Sequence, residues 1–565
     1  MGDHSKRRVQ PSRGRKHAVL GALLGLLLIG LAAVYAGLSS HPQPLPSHAA
    51  RPSTPATEPT QLWEPTAPPT WPRTPAPTEG EPARNPQPTA TAPPTRPRTP
   101  APTEGEPARN PQPAAGQPSP ALPFDLPTAN VLRRSPHQVF AHYFPPYPLS
   151  FENEPAAHDY YARNYLTPHG EKGKHAAYGG LLRDRPLPVQ PSSGDWQLAN
   201  LEKEVRTARD AGIDGFTVDI LSLTGTNRER VDLLLRAAQR VDPEFRIVLM
   251  PDMTSLATNP RALADQLALL GASPSAYRLT DGRLAVSPFK AEAQSPAWWS
   301  QVIDRLRDHG IGTALVPVFL DFRANAERFA PISDAFSSWG NRSYVQQDGV
   351  PDDIRLAHSL GKKWMQAVSV QDVRPNQGVY DEAGNTATLR STWNHAISGG
   401  ADWVQLTTWN DYSEGSQFAP SLHNGHTYLD ISSYYLTRFK TGTWPRIVRD
   451  TVYVTSRVQF TSAASTAQHP LLMRPRPGTA PPRDQVEVLT FLTAPANVTA
   501  RVGTVPHAYV APAGPYARAM ALSPGRTEAV VNREGRTVAS VTTRHPVQPT
   551  PRVQDLQYYA VSSRR

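Results

Sequence analysis

Five stretches of the chain decide its fold: Gly215–Ile220 (GFTVDI), Val248–Asp252 (VLMPD), Pro317–Asp321 (PVFLD), Val368–Asp372 (VSVQD) and Thr407–Asp411 (TTWND). Each is a short apolar run with an aspartate at or near its carboxyl end, which reads as a buried strand whose tip reaches a polar site. Val139–Phe144, Phe245–Pro251, Leu284–Val286, Ala314–Phe322, Trp364–Val370 and Trp403–Thr408 read as strands on the same grounds. Asp195 is placed to cap a helix running to about Ala211. Arg228–Arg240, Arg261–Leu270, Pro296–His309, Asp352–Leu360, Leu389–Ser398 and Tyr428–Phe439 carry helical spacing. Such alternation fits a closed (β/α)8 TIM-type barrel or an open doubly wound sheet. The aspartates favour the barrel, whose strand ends converge on one mouth, and no glycine-rich dinucleotide loop or Walker loop supports the open sheet. A lone aspartate after a strand also serves as a helix cap or turn former, so each acid alone carries two readings.

The flanks differ in composition. The chain has 565 residues with 62 Pro, 36 Gly, no Cys and a formal net charge of +10. That length leaves room for two or three folded units. Without cysteine there is no disulfide framework, thiolate nucleophile or cysteine-ligated metal. Residues 1–17 hold Lys6, Arg7, Arg8, Arg13, Arg15 and Lys16 against Asp3, so half of the positive excess sits in this tail. Residues 18–38 (Ala18–Leu38) are uncharged and apolar, long enough to enter a membrane as a signal peptide or retained signal anchor. The basic tail would then stay cytoplasmic and the rest be exported. Residues 39–128 are rich in Pro and Thr, and PRTPAPTEGEPARNPQP occurs at Pro72 and again at Pro97, a 25-residue period. With no apolar face to bury, this segment is expected to be a disordered, polyproline-II-rich spacer. The barrel is assigned to residues 129–445. Residues 446–565 carry period-two alternation (TVYVTSRVQF, DQVEVLTFLT, EAVVNREGRTVASVTTR) and are expected to form a β-sandwich with a hairpin turn at Arg533-Glu534-Gly535. Carbohydrate binding and bracing of the barrel both fit such a module.

The densest chemical signal is Thr407–Gly415, TTWNDYSEG, at the end of the last barrel strand. Hydrolysis of a glycosidic bond needs one carboxylic acid to protonate the departing oxygen and one carboxylate to activate water or attack carbon. Asp411 and Glu414 supply such a pair. Trp409 and Tyr412 offer flat apolar faces for sugar rings, and Asn410 a donor and an acceptor for hydroxyls. From spacing alone, an Asp-x-x-Glu pair is equally a turn cap. Asp219 and Asp252 are candidates for hydroxyl binding or charge tuning at the floor of the site. His142 and Tyr143 on the first strand are candidates for sugar contact, with a core role as the alternative for His142.

At these residues the chain resembles glycoside hydrolase family 71, the endo-α-1,3-glucanases or mutanases. The resemblance spans about Val139 to Phe439. It rests on VFAHYF, on the Asp-Trp…Glu segment leading to AGIDGFTVDI (Ala211–Ile220), on LMPDM (Leu249–Met253) and on TWNDYSEG, where Ser413 replaces the family's usual Gly. It implies a (β/α)8 barrel with an attached β-sandwich, no metal or cofactor, inversion at the anomeric carbon, and a catalytic pair at Asp411 and Glu414. On that comparison Asp411 is the general base and Glu414 the general acid, with the reverse order open. The loop YFPPYPLS after the first strand departs from the fungal members. Family 99 endo-mannosidases carry a similar W-N-E-x-x-E-G, so an α-mannan endo-hydrolase is the alternative enzyme, and a non-catalytic surface glycan-binding protein the alternative outside enzymes.

Other classes fare poorly. No metal-binding helix motif, EF-hand or P-loop is present, and His142, His169, His175, His423 and His426 lack zinc-enzyme spacing. His423 and His426 are read as contacts for substrate or solvent. The basic residues of the folded part are scattered among acids, so no nucleic-acid partner is expected. The expected partner is a polysaccharide, an α-glucan, with membrane contact only through Ala18–Leu38 if uncleaved. The chain is expected to be a monomer at the cell surface or outside the cell.

Overall fold

The computed structural model describes residues 122–565. The expected membrane segment Ala18–Leu38 and the repeat lie outside the described residues. Among those described, no helix is long and apolar enough to cross a membrane.

The barrel strands are β1 (Gln138–Tyr143), β2 (Gly215–Ile220), β3 (Arg246–Pro251), β4 (Leu284–Val286), β5 (Thr313–Leu315), β6 (Val318–Phe319), β7 (Ala335–Ser338) and β8 (Lys363–Val368). A small excursion, β9 (Asp372–Arg374) and β10 (Val379–Asp381), precedes β11 (Trp403–Leu406). All sheet neighbours are parallel, in the order β5-β4-β3-β2-β1-β11-β8-β7-β6. Only Val316 and Pro317 separate β5 from β6, and Phe289, just past β4, bridges to Val318. The parallel sheet therefore curls back on itself in a TIM-like arrangement. Ala314–Phe322, expected as one strand, breaks because Pro317 has no N–H to donate to a ladder. β7 escaped the sequence reading: its AFSS is too short and too polar to read as a buried strand.

Helices cover the outside where the amphipathic segments predict them. Asp195 accepts from the Leu198 amide at the start of Trp196–Asp210, and Asn259 and Ser295 cap Pro260–Gly271 and Pro296–Asp308 in the same way. Gly225–Val241, Val350–Ser359, Ala387–Gly399 and Thr427–Thr441 complete the layer.

Side chains on successive residues of a strand point to opposite faces, and this parity sorts the core. Phe140, Val248, Met250, Met365 and Trp403 fill the barrel interior, while Val139, Ala141, Tyr143, Phe216, Val218 and Leu249 join the layer beneath the helices.

The C-terminal region holds β12 (Thr451–Ser456), β13 (Arg474–Pro475), β14 (Gln485–Leu492), β15 (Ala496–Val502), β16 (Val505–Ala511), β17 (Gly514–Ala521), β18 (Thr527–Arg533), β19 (Arg536–Thr542) and β20 (Tyr559–Ser562). Two four-stranded sheets, β17-β14-β12-β20 and β16-β15-β18-β19, face one another across a shared valine-rich core. The β18–β19 hairpin turns at Glu534 and Gly535, with φ of 51° and 73°. Tyr453, Leu489, Phe491 and Ala560 belong to the main barrel core, so the first sheet is packed on helix Thr427–Thr441. That helix is buried along almost its whole length.

Where β1 and β2 begin, the Lys440 ammonium bonds the Asp214 carboxylate, which also accepts from the Val139 amide at 2.8 Å. Both charged groups are buried. Lys440→Met should cost about 3 to 5 kcal/mol, because it strands a buried carboxylate. Denaturant unfolding checks this, and Asp214→Asn combined with Lys440→Met should recover most of the loss.

Candidate active site

The parity that fills the barrel also selects which residues meet at its carboxyl-terminal mouth. Inward positions continue past the apolar layer as His142 on β1, Asp219 on β2 and Asp252 just after β3. The His142 Nε2 lies 3.8 Å from Asp219 Oδ2, and its ring meets Trp339 edge-on at 4.9 Å. The Asp219 Oδ1 and His142 Nδ1 atoms have no hydrogen-bond partner within the protein. Burial, and then the charges of Asp252, Asp411 and Glu414, push the Asp219 carboxyl well above its usual range. Burial and the nearby Arg342 lower His142 to about 3, so its imidazole is neutral. Asp252 accepts from the Thr254 amide and hydroxyl at 2.7 and 2.6 Å and from the Ser255 hydroxyl at 3.0 Å. It shapes its own turn while adding charge to the site.

Asp411 and Glu414 arrive on the loop after β11. The Asp411 Oδ1 accepts from the Ser413 hydroxyl at 2.6 Å, the Ser413 amide at 3.0 Å and the Glu414 amide at 3.3 Å. This turn is held by Ser413, the residue at the motif's departure from its usual form. The Glu414 Oε1 meets Arg374 Nη1 at 2.8 Å, while its Oε2 has no partner. Asp411 is buried, at 7% exposed, and the Glu414 side chain is 17% exposed with its Oε2 atom buried. Burial raises Asp411, opposed by the Ser413 hydrogen bond and Arg374. Burial, reinforced by Asp411 and Asp372 and opposed mainly by Arg374, pushes Glu414 up to about 8.

The structure turns the other motif residues away from this group. Trp409 is fully buried on Phe216, its indole N–H donating to Glu204 at 3.3 Å. Tyr412 is buried among Tyr147, Tyr161, Leu181 and Leu182. Asn410 clasps the loop after β1, donating to the Phe144 and Tyr147 carbonyls and accepting from the Phe144 amide. Tyr143, on the outward parity of β1, donates to Glu204 at 2.8 Å beneath the helices. The aromatic platforms expected at Trp409 and Tyr412, and the sugar contacts expected at Asn410 and Tyr143, are instead packing and loop-anchoring groups. His423 is likewise held by His545 at 2.8 Å and stacked on Tyr559. Of the strand-end acids, Asp321 is exposed and accepts from the Ala324 amide as a turn former. Asp372 is buried in an ion pair with Arg374, at 2.7 and 2.6 Å.

Sequence reasoning missed Arg374, Arg342, Trp339, Tyr147 and Glu204. Arg374 follows Asp372 by two residues, and that strand spacing was the available signal. Tyr147, in the YFPPYPLS loop, has its phenol raised by burial and by Asp411. Arg342 and Trp339 follow the unrecognised β7, so nothing placed them.

The family model for glycosyl hydrolase family 71 matches residues 190–563. The chain belongs to glycosyl hydrolase family 71. It is a glycoside hydrolase, and the match runs through the C-terminal sheets instead of ending at Phe439. The family 71 chain is 25% identical over 380 residues to the glucan endo-1,3-alpha-glucosidase agn1 of Schizosaccharomyces pombe, covering 61% of this chain and 87% of that protein. It is 24% identical over 373 residues to a mutanase of Penicillium rubens, covering 61% and 81%. Among solved structures, the GH99 endo-alpha-mannosidase from Bacteroides thetaiotaomicron aligns with a TM-score of 0.43 at 15% identity, covering 54% of this chain and 98% of that one.

Glu204 provides a stability test for this hydrolase. Burial pushes its carboxyl up to about 8, partly offset by the Tyr143 and Trp409 hydrogen bonds. The folded protein therefore holds a proton that the unfolded chain loses above its ordinary carboxylate pKa, and this contribution to stability declines as pH rises towards 8. Glu204→Gln should flatten the fall in Tm between about pH 5 and pH 8, measured by thermal denaturation in a pH series.

Proposed function

We propose that this family 71 chain hydrolyses α-1,3-glucan internally and with inversion, using Glu414 as the general acid and Asp411 as the general base. The observation that carries the reading is the divided environment of the two acids. Asp411 accepts three hydrogen bonds that favour its ionised form, whereas Glu414 is raised to about 8 and keeps one carboxyl oxygen unpartnered. Burial raises both carboxyls, but the donors on Asp411 oppose the rise whereas Asp411 and Asp372 reinforce it at Glu414, and that difference fits Glu414 as the acid and Asp411 as the base. In the proposed step Glu414 gives its proton to the glycosidic oxygen as the C–O bond breaks. Asp411 takes a proton from the water that attacks the anomeric carbon on the opposite face. The unpartnered Asp219 Oδ1 and His142 Nδ1 are the proposed hydroxyl contacts.

The substrate assignment is supported by the names of the similar proteins, a glucan endo-1,3-alpha-glucosidase and a mutanase. The ascus wall endo-1,3-alpha-glucanase of Schizosaccharomyces pombe, 20% identical over 261 residues, fits a wall polysaccharide as substrate and action at or outside the cell surface. We read residues 129–445 as a (β/α)8 catalytic barrel and 446–565 as its β-sandwich, tethered or exported through residues 18–38 and the spacer 39–128.

Asp411→Asn and Glu414→Gln should each lower kcat on α-1,3-glucan by roughly 10²- to 10⁴-fold with the thermal melt retained. Near-normal activity of either would remove that residue from its role. Product analysis by NMR on pure α-1,3-glucan, with α-mannan as the comparison substrate, tests substrate and stereochemistry together. Because Glu414 must be protonated to act, kcat/KM should fall as pH rises through about 8.

A further inference from the structure

The C-terminal region does more than rest on the outside of the barrel. Its β13 adds a strand to β10, in a small β13-β10-β9 sheet at the mouth. The Gln371 side chain accepts from the Tyr558 amide at 2.9 Å and donates to the Tyr558 carbonyl at 3.3 Å. Gln557 presses on the catalytic loop so closely that a Cβ on Gly415 would stand 2.4 Å from its Nε2 atom.

Immediately after β13 comes Arg476. Its Nε donates to Asp381 at 2.9 Å and its Nη2 to Asp372 at 3.3 Å. Asp372 accepts from the Nε and Nη2 of Arg374, and Arg374 Nη1 meets Oε1 of Glu414. Charges alternate along the line Asp381, Arg476, Asp372, Arg374, and the line ends on Glu414. A guanidinium is a rigid planar fork, so seating Nε and Nη2 on Asp372 fixes where Nη1 points. With Oε1 of Glu414 held there, Oε2 is left as the oxygen that carries the proton to substrate.

We infer that Arg476 is a positioning residue for the reaction: by holding Asp372 between itself and Arg374, it fixes Arg374 on Glu414, so that the C-terminal module completes the catalytic site. The inference rests on the assignment of Glu414 as the acid. The charged and titratable groups facing Glu414 are Arg374 and Asp372 from β9, Asp411 from its own loop, Arg342 from the segment after β7, Asp219 from β2 and Tyr147 from the loop after β1. Arg476 acts on this set through Asp372.

The test is the pH dependence of kcat/KM on α-1,3-glucan for full-length variants, with Tm measured alongside. Arg476→Gln deletes a positive charge, so the carboxyls ionise at higher pH and both limbs of the profile should move up by roughly half a pH unit, with reduced kcat. Asp381→Asn deletes a negative charge from the far end and should move the limbs down. Arg476→Lys keeps the charge and should restore the limbs towards wild type. A purely structural brace would lower Tm without shifts of opposite sign. Superimposable profiles for Arg476→Gln and Asp381→Asn, with Glu414→Gln inactive, would overturn the inference and leave the proposed acid standing. An active Glu414→Gln would overturn the proposed acid itself. Should Arg476→Gln fail to fold, Asp381→Asn and Arg476→Lys decide the matter.

Discussion

Crowding carboxyl groups into a desolvated barrel mouth is the constraint around which this molecule is built. Each buried carboxylate loses hydration, and each neighbour of like charge adds to the cost, so such a group survives only with a proton, a set of donors or a cation. The site uses all three. Asp411 and Asp252 take backbone and hydroxyl donors from their own turns, which oppose the upward push of burial, Asp372 is neutralised by Arg374 and Arg476, and Asp219 and Glu414 are displaced towards the protonated form with like charges adding to burial. That division of treatment among similar side chains is what the proposed acid and base roles draw on.

The fold supplies the geometry for this at little further expense. Period-two alternation along β1, β2 and β3 sends Phe140, Val248 and Met250 into the barrel and, one step further on the same face, His142, Asp219 and Asp252 into its mouth. The opposite parity supplies the supporting layer. Tyr143 and Trp409 both bond Glu204 on the neighbouring helix, tying β1 and the Thr407–Gly415 loop to one buried carboxyl. Asn410 fastens the loop after β1 with three hydrogen bonds, so the aromatic and amide residues of TWNDYSEG hold the two acids in place.

Much of this was legible in the sequence. Strand and helix alternation, the capping residue Asp195, the hairpin at Glu534-Gly535 and the closeness of Asp411 to Glu414 all depend on neighbours within a few positions. Parity could also have separated His142 from Tyr143, since adjacent strand residues cannot both face the interior. β7 was not legible, because AFSS is buried by its position in the sheet and not by its own hydrophobicity. Trp409 and Tyr412 misled for a related reason: an aromatic beside an acid is as suited to a core as to a sugar, and only its surroundings decide.

The amino-acid sequence by itself determined the class of fold and, through the resemblance carried by its motifs, the family, and it singled out Thr407–Gly415 as the candidate loop, because periodicity and a compact motif are local features. Tertiary structure alone decided that Arg374 meets Glu414, that Arg476 reaches Asp372 across 104 positions, and that the C-terminal sheets share the barrel's core. Ion pairs of that kind link residues far apart in the chain, and no spacing rule records which charges burial will bring together.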